Sequence, residues 1–213
     1  MPSRELVVGI SGASGARLAT RFVELTAAAK GLSRLHLVFS DASLRVATSE
    51  LGVEIPTPRD WIARLRLPKA AARKLTLHAA EDVGASIASG SYPVIGMVVI
   101  PCSAGTLGAI ANGISRDLLQ RAADVNIKER RPLVLAFRES PYSLIHVENM
   151  RRVTLAGAIV APPAPAFYIG EPSMDRFLDA YCARIARLAG VEVPQAQFRW
   201  EGTRPARKTP RTR

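Results

Sequence analysis

Apolar residues fall into two kinds of block along this chain. Short, nearly unbroken runs at 5–10, 35–39, 96–100, 133–137 and 157–161 predict strands covered on both faces. Between them lie stretches with helical spacing: 16 to about 30, 42–51, a helix opening after 101–106, 115–129, one from about 143, and 173–189. The stretch 52–80 breaks this rhythm. It carries Pro56, Pro58 and Pro68, and predicts irregular chain with a short helix around 61–65. Strands alternating with helices, without an internal repeat, predict an α/β fold: one domain built on a doubly wound parallel sheet. That domain is expected over 1–200, followed by a basic tail over 201–213 expected to be disordered.

In such a sheet the carboxyl ends of the strands are where ligands bind. The segment from Arg121 to Glu139 is the most informative in that light. Arg121 and Lys128 are seven residues apart and project from nearly the same side of a helix. Pro132 stops that helix, 133–137 is a buried strand, and Arg138 and Glu139 follow at its tip. Cations on a helix and an Arg–Glu pair at a strand end are suited to gripping a phosphorylated ligand, although a solvated basic helix fits the same pattern.

Two hydroxyl-bearing turns add to this. The first strand runs into glycines 9, 12 and 15, spaced GxxGxxG, with Ser11 and Ser14 between them. This is not the dinucleotide fingerprint GxGxxG, but it shares a tight turn, close backbone approach and a helix N-terminus facing an anion. Pro101-Cys-Ser103-Ala-Gly-Thr106 repeats the arrangement after a later strand, with Ser103 and Thr106 spaced as N-cap and N3 residues. With Ser40 after the second strand, hydroxyls would line one edge of the sheet, which would suit a phosphate-bearing ring cofactor better than a lone N-cap would. Asp41 sits where a ribose-binding acid would sit in a nicotinamide domain, which keeps that alternative open.

Composition narrows the classes. The chain has 213 residues, 48% hydrophobic and 22% charged, which is globular. No apolar run reaches the ~18 residues of a membrane span, and no signal-peptide pattern precedes the first strand. Two cysteines, Cys102 and Cys182, make no disulfide framework or zinc pattern, and Cys102 reads as a small core residue. The three histidines, His36, His78 and His146, stand singly and read as packing or surface residues, so no metal is expected. The reducing cytoplasm is the expected compartment. Of the net charge of +11, five charges fall in the last ten residues, leaving +6 for the body. No nucleic-acid-binding motif accompanies the charge, and anionic small ligands account for it equally well.

Taken together, 9–16 (Gly-Ile-Ser-Gly-Ala-Ser-Gly-Ala), 88–91 (Ala-Ser-Gly-Ser), 101–106, 121–135, Arg138-Glu139 and 165–168 (Pro-Ala-Phe-Tyr) resemble the UbiX-type flavin prenyltransferases. The likeness is in order and at family-like spacing, from about residue 5 to Trp200. It implies a Rossmann-like or flavodoxin-like fold, commonly assembled as a dodecamer. It also implies metal-free transfer of the dimethylallyl group of dimethylallyl phosphate to N5 and C6 of reduced FMN. The product, prenylated FMN, would serve a UbiD-type decarboxylase.

Residue by residue, the resemblance gives Gly12, Ala13, Ser14, Ser40, Ser103, Thr106 and Arg138 as FMN contacts. It gives Gly90, Arg121, Lys128, Tyr168 and Arg184 as groups around the allylic phosphate, with Trp200 an aromatic near the site. It gives Ser14, Glu50 and Glu139 roles in proton transfer. Arg and Lys donors neutralise a departing phosphate, a neighbouring carboxyl can protonate it, and the flavin needs no protein nucleophile.

Asp41 stands where the family usually has lysine, the basic stretch 56–80 matches it poorly, and the tail is extra. A cysteine decarboxylase of the same fold would need a histidine in the first helix, and 16–30 hold none. A non-catalytic FMN carrier and an NAD-dependent oxidoreductase are the remaining alternatives, the latter leaving Arg121, Lys128 and Glu139 without a role.

Overall fold

The apolar runs become strands with small changes of length. In a computed structural model, described here for residues 4–167 and 173–193, they are β1 (Glu5–Ile10), β2 (Arg34–Phe39), β4 (Val94–Cys102), β5 (Leu133–Phe137) and β6 (Ile159–Val160). The helices are α1 (Ala16–Ala27), α2 (Asp41–Leu51), α3 (Pro58–Ala63), α4 (Lys69–Ala72), α5 (Ala104–Ala111), α6 (Leu118–Lys128), α7 (Leu144–Leu155) and α8 (Met174–Leu188). The difference from expectation is a further strand, β3 (Leu75–His78), inside the stretch read as irregular. It is four residues long, half-buried and at the sheet edge, so it lacks the unbroken apolar run that marks the central strands. The short helix nearby starts earlier than expected. Pro58 opens it behind a capping box between Thr57 and Asp60.

All strand pairs are parallel, in the order β3-β2-β1-β4-β5-β6. The chain winds one way from β1 through β2 and the other way from β1 to β4. The switch point therefore lies between β1 and β4, where such sheets open a crevice at their carboxyl edge.

Side-chain alternation divides the core into two layers. Leu6, Val8 and Ile10 of β1, with Val134 and Ala136 of β5, pack against α1 and α8, including Phe22, Leu178 and Ile185. Val7, with Leu133, Leu135 and Phe137, faces the opposite layer with Leu119 and Ala122 of α6 and Leu107 of α5. The central strands are thus covered on both faces, as their apolar runs require. Trp61 pins the 52–80 stretch to the first layer, its ring edge-on to Phe39 at 5.2 Å. Among the described residues, no helix is long and apolar enough to cross a membrane.

Candidate active site

Four strand ends deliver polar groups to the carboxyl edge. The turn 11–15 follows β1, Ser40 follows β2, Ser103 follows β4, and Arg138 and Glu139 follow β5. Ser11 stitches the switch point together. Its buried hydroxyl donates to Pro101 O at 2.9 Å and accepts from Ser103 N–H at 2.8 Å. Gly12 is required there, because a Cβ would lie 2.5 Å from the Ala42 methyl group at the start of α2. Cys102 is fully buried, and burial pushes its thiol well up, so it is no nucleophile.

The two edge serines behave differently. Ser103 caps α5 by accepting from Thr106 N–H at 3.3 Å, and the two hydroxyls lie 3.0 Å apart. Ser40 sits at the N-cap of α2 but makes no side-chain cap, and its buried Oγ has no hydrogen-bond partner. A buried hydroxyl left unpaired is costly, and a ligand oxygen at the N-terminus of α2 would satisfy it. This donor set fits the phosphate of FMN. Asp41, the first residue of α2, is exposed in the first turn, where an acid suits the helix dipole.

The N-terminus of α1, expected to face a ligand anion, is instead occupied by the chain's own carboxylate. Glu50, in the last turn of α2, accepts from Gly15 N–H with both oxygens at 3.0 Å and from Ala16 N–H at 2.7 Å. Partial burial pushes this carboxyl up. The Ser14 hydroxyl, the two N–H groups and the nearby Arg138 charge outweigh that and hold it below the usual range. Glu50 is therefore an ionised acceptor in contact with Ser14. Glu139 accepts from Ser140 N–H at 3.1 Å.

The residues expected to grip the phosphate lie elsewhere. Gly90 precedes β4 and Lys128 ends α6, which places both at the amino edge of the sheet. A Cβ on Gly90 would lie 2.5 Å from Lys128 Nζ, so the pair is in close approach. Lys128 is ion-paired with Glu129, whose carboxyl is held below the usual range by that contact. Arg121, in the first turns of α6, donates Nε–H to Ala88 O at 3.2 Å and Nη1–H to Asp124 at 2.8 Å. The eight steps of β4 separate its two ends by roughly 26 Å at ~3.3 Å each. One chain therefore brings Ser14, Ser40, Glu50, Ser103 and Arg138 to one edge, and Gly90 and Lys128 to the other. Arg184 is exposed on α8. Tyr168 and Trp200 lie outside the described residues.

The histidines correct the sequence reading. His36 and His78 are not isolated: His36 Nδ1 is 2.9 Å from His78 Nε2, and His36 Nε2 is 2.8 Å from Glu5 Oε2. Tyr92 donates its hydroxyl to the same carboxylate oxygen at 2.6 Å. Burial pushes the His36 imidazole down, with Arg34 in the same sense, and this outweighs Glu5. Burial also lowers His78, assisted by His36 and opposed by Asp82. The available signal was period two: Glu5, His36 and His78 share one sheet face once β3 is paired with β2. Among the described residues, no group of three or more His, Cys, Asp or Glu is placed to hold a metal ion.

Known proteins resemble this chain along nearly its whole length. The Flavoprotein family profile matches residues 1–184. The flavin prenyltransferase UbiX of Synechocystis sp. is 40% identical over 205 residues, covering 94% of this chain and 97% of that protein. The solved structure of AnUbiX (PadA1) in complex with FMN and dimethylallyl pyrophosphate superposes with a TM-score of 0.81 at 36% identity, covering 95% and 100% of the two chains. A dodecameric FMN-dependent UbiX-like decarboxylase from Escherichia coli O157:H7 gives a TM-score of 0.79 at 37% identity, covering 93% and 100%.

Proposed function

The chain belongs to the Flavoprotein family and to its UbiX flavin prenyltransferases, and from that premise we propose the following assignment of its reaction to its residues. The reaction joins a dimethylallyl group from dimethylallyl phosphate to reduced FMN. The single observation that carries the cofactor assignment is the unpartnered, buried Ser40 Oγ at a helix N-terminus on the carboxyl edge. The 11–15 turn, Ser103, Thr106 and Arg138 complete that side. When bound, the reduced flavin supplies N5 and C6, the positions that take the prenyl carbons.

The protein's contribution is electrostatic. As the carbon–oxygen bond of the donor breaks, negative charge develops on the departing phosphate. Arg121 and Lys128 neutralise it, and Gly90 lets the backbone come close. Glu139 delivers a proton to the leaving oxygen. Bonding at N5 would displace the N5 proton, and ring closure would take up one proton at the prenyl alkene and release another from C6. The Ser14–Glu50 pair would accept a released proton, because Glu50 is held ionised. Tyr168, Arg184 and Trp200 take the family's places around the donor.

Because the flavin-side groups lie at the opposite edge of one chain from Gly90 and Lys128, a second copy would supply those two to the site. The exposed apolar side chains of α7, Leu144 and Ile145 at 75% and 72% exposure and Leu155 at 72%, provide a face for self-association. A dodecamer is the proposed assembly. Prenylated FMN is proposed to pass to a UbiD-type decarboxylase in the cytoplasm.

The test is anaerobic incubation of the purified protein with reduced FMN and dimethylallyl phosphate, then mass spectrometry of the released flavin. A flavin heavier by one C5 prenyl unit supports the assignment. Unmodified bound FMN, with the pyrophosphate donor also tried, would favour a carrier instead.

A further inference from the structure

The backbone around Gly90 is held at three alternate carbonyls. Arg121 donates to Ala88 O at 3.2 Å. Arg131, just beyond α6, donates Nη2–H to Gly90 O at 2.6 Å and Nη1–H to Tyr92 O at 2.9 Å. The fork of a guanidinium suits two carbonyls two residues apart, whereas an ammonium would reach one at a time. Arg131 thus has two of its donors engaged by the chain itself.

The ring of Tyr92 fastens the segment from its other end. Its hydroxyl bonds Glu5 Oε2, its ring meets His36 edge-on at 5.6 Å, and His36 is itself bonded to Glu5 on one side and His78 on the other. Glu5 is 7% exposed and His36 1% exposed, so this anchor lies in the sheet and not on the surface. It joins β1, β2 and β3 to the entry of β4. Charge-assisted bonds of this kind in a partly desolvated setting are stiff and directional. Glycine has the most backbone freedom to lose, so a segment built on Ser89-Gly90-Ser91 needs outside restraint to present one shape.

We propose that Arg131 and the Tyr92–Glu5–His36 chain are positioning residues for the donor's phosphate. They fix the backbone at Gly90 relative to Lys128, an inference that rests on the reading of Gly90 and Lys128 given above. Neither group touches the reacting atoms. Each acts by holding two phosphate-side elements, the 88–92 segment and the end of α6, at one separation, so that the cost of ordering them is met before the donor arrives.

The experiment compares Tyr92→Phe, Arg131→Lys and His36→Gln with Lys128→Ala in the full chain, measuring the KM for dimethylallyl phosphate, kcat, the Kd for FMN and the thermal midpoint. The three conservative variants are expected to raise the donor KM about tenfold, the effect of losing roughly 1.4 kcal/mol of placement. FMN affinity, read at the opposite edge, should stay within about twofold by the same arithmetic. Arg131→Ala should exceed Arg131→Lys, and the lysine variant keeps the test valid if the alanine variant does not fold. Two results would overturn the proposal. One is an unchanged donor KM in the conservative variants while Lys128→Ala is impaired. The other is a parallel loss of FMN and donor affinity with a lowered midpoint, which would make the network purely structural. If Lys128→Ala itself binds the donor normally, the reading of the phosphate side fails, and this inference falls with it.

Discussion

The Glu5–His36 cluster near the amino edge and Ser40 at the carboxyl edge are opposites in how they treat buried polar atoms. At the amino edge, the Glu5 carboxylate and the His36 imidazole are each bonded on two sides by protein groups. At the carboxyl edge, Ser40 Oγ is buried with no partner, although the serine after β4 is fully used as a helix cap. A satisfied polar cluster holds shape, whereas an unsatisfied donor costs stability unless something else completes it. The difference marks the Glu5–His36 cluster as framework and Ser40 as a place that receives a ligand.

The sharpest way to break this comparison is to remove charge from the proposed chemistry. Lys128→Ala and Glu139→Gln should each lower prenylation about a hundredfold or more while FMN stays bound, because one removes neutralisation of the departing phosphate and the other its protonation. Full activity in both would end the proposed roles. Glycine substitutions come next. Gly12→Ala forces a methyl group against the Ala42 methyl group and backbone of α2, which have little room to yield, so FMN affinity and stability should fall together. Gly90→Ala instead meets the flexible tips of Lys128 and Glu129. It should fold normally, bind FMN normally and bind the donor poorly.

A smaller contrast separates the serines. Ser103→Ala removes a helix cap and should cost about 1 kcal/mol of stability in urea unfolding of the free protein. Ser40→Ala removes an unpaired hydroxyl, so the free protein should be no less stable, while FMN affinity drops. Equal losses of stability would show that Ser40 is an ordinary cap.

The smallest effect is in pH. His36 and His78 have folded values below the ordinary imidazole value, so between the two values the unfolded chain binds more protons. Their contribution to stability is complete above about pH 6.5 and is lost as pH falls below that, through the folded values. Glu50, also lowered, contributes above its unfolded value of 4.5 and is lost at still lower pH. His36→Gln should flatten the first decline and leave the second, as followed by urea midpoints across pH.

Much of this was legible in the sequence because the central strands are covered on both faces and announce themselves as apolar runs. The same logic explains what was missed. β3 is short and half-covered, so the residues 75–78 alternate over only four positions, and without that strand His78 could not be set beside His36. Glu50 entered only through the resemblance, since sequence does not show that the end of α2 lies against the start of α1. The residues of the carboxyl edge were legible through turn chemistry, with small and hydroxyl residues after strands. Their separation from Gly90 and Lys128 follows from the same element order, since those two precede strands and the carboxyl-edge residues follow them.

That separation has a genetic consequence. Under the proposed roles, a chain carrying Glu139→Gln keeps a sound amino edge, and one carrying Lys128→Ala keeps a sound carboxyl edge. Co-assembled from equal amounts, two inactive proteins should regain activity in about one site in four, wherever each chain lends the other its intact half.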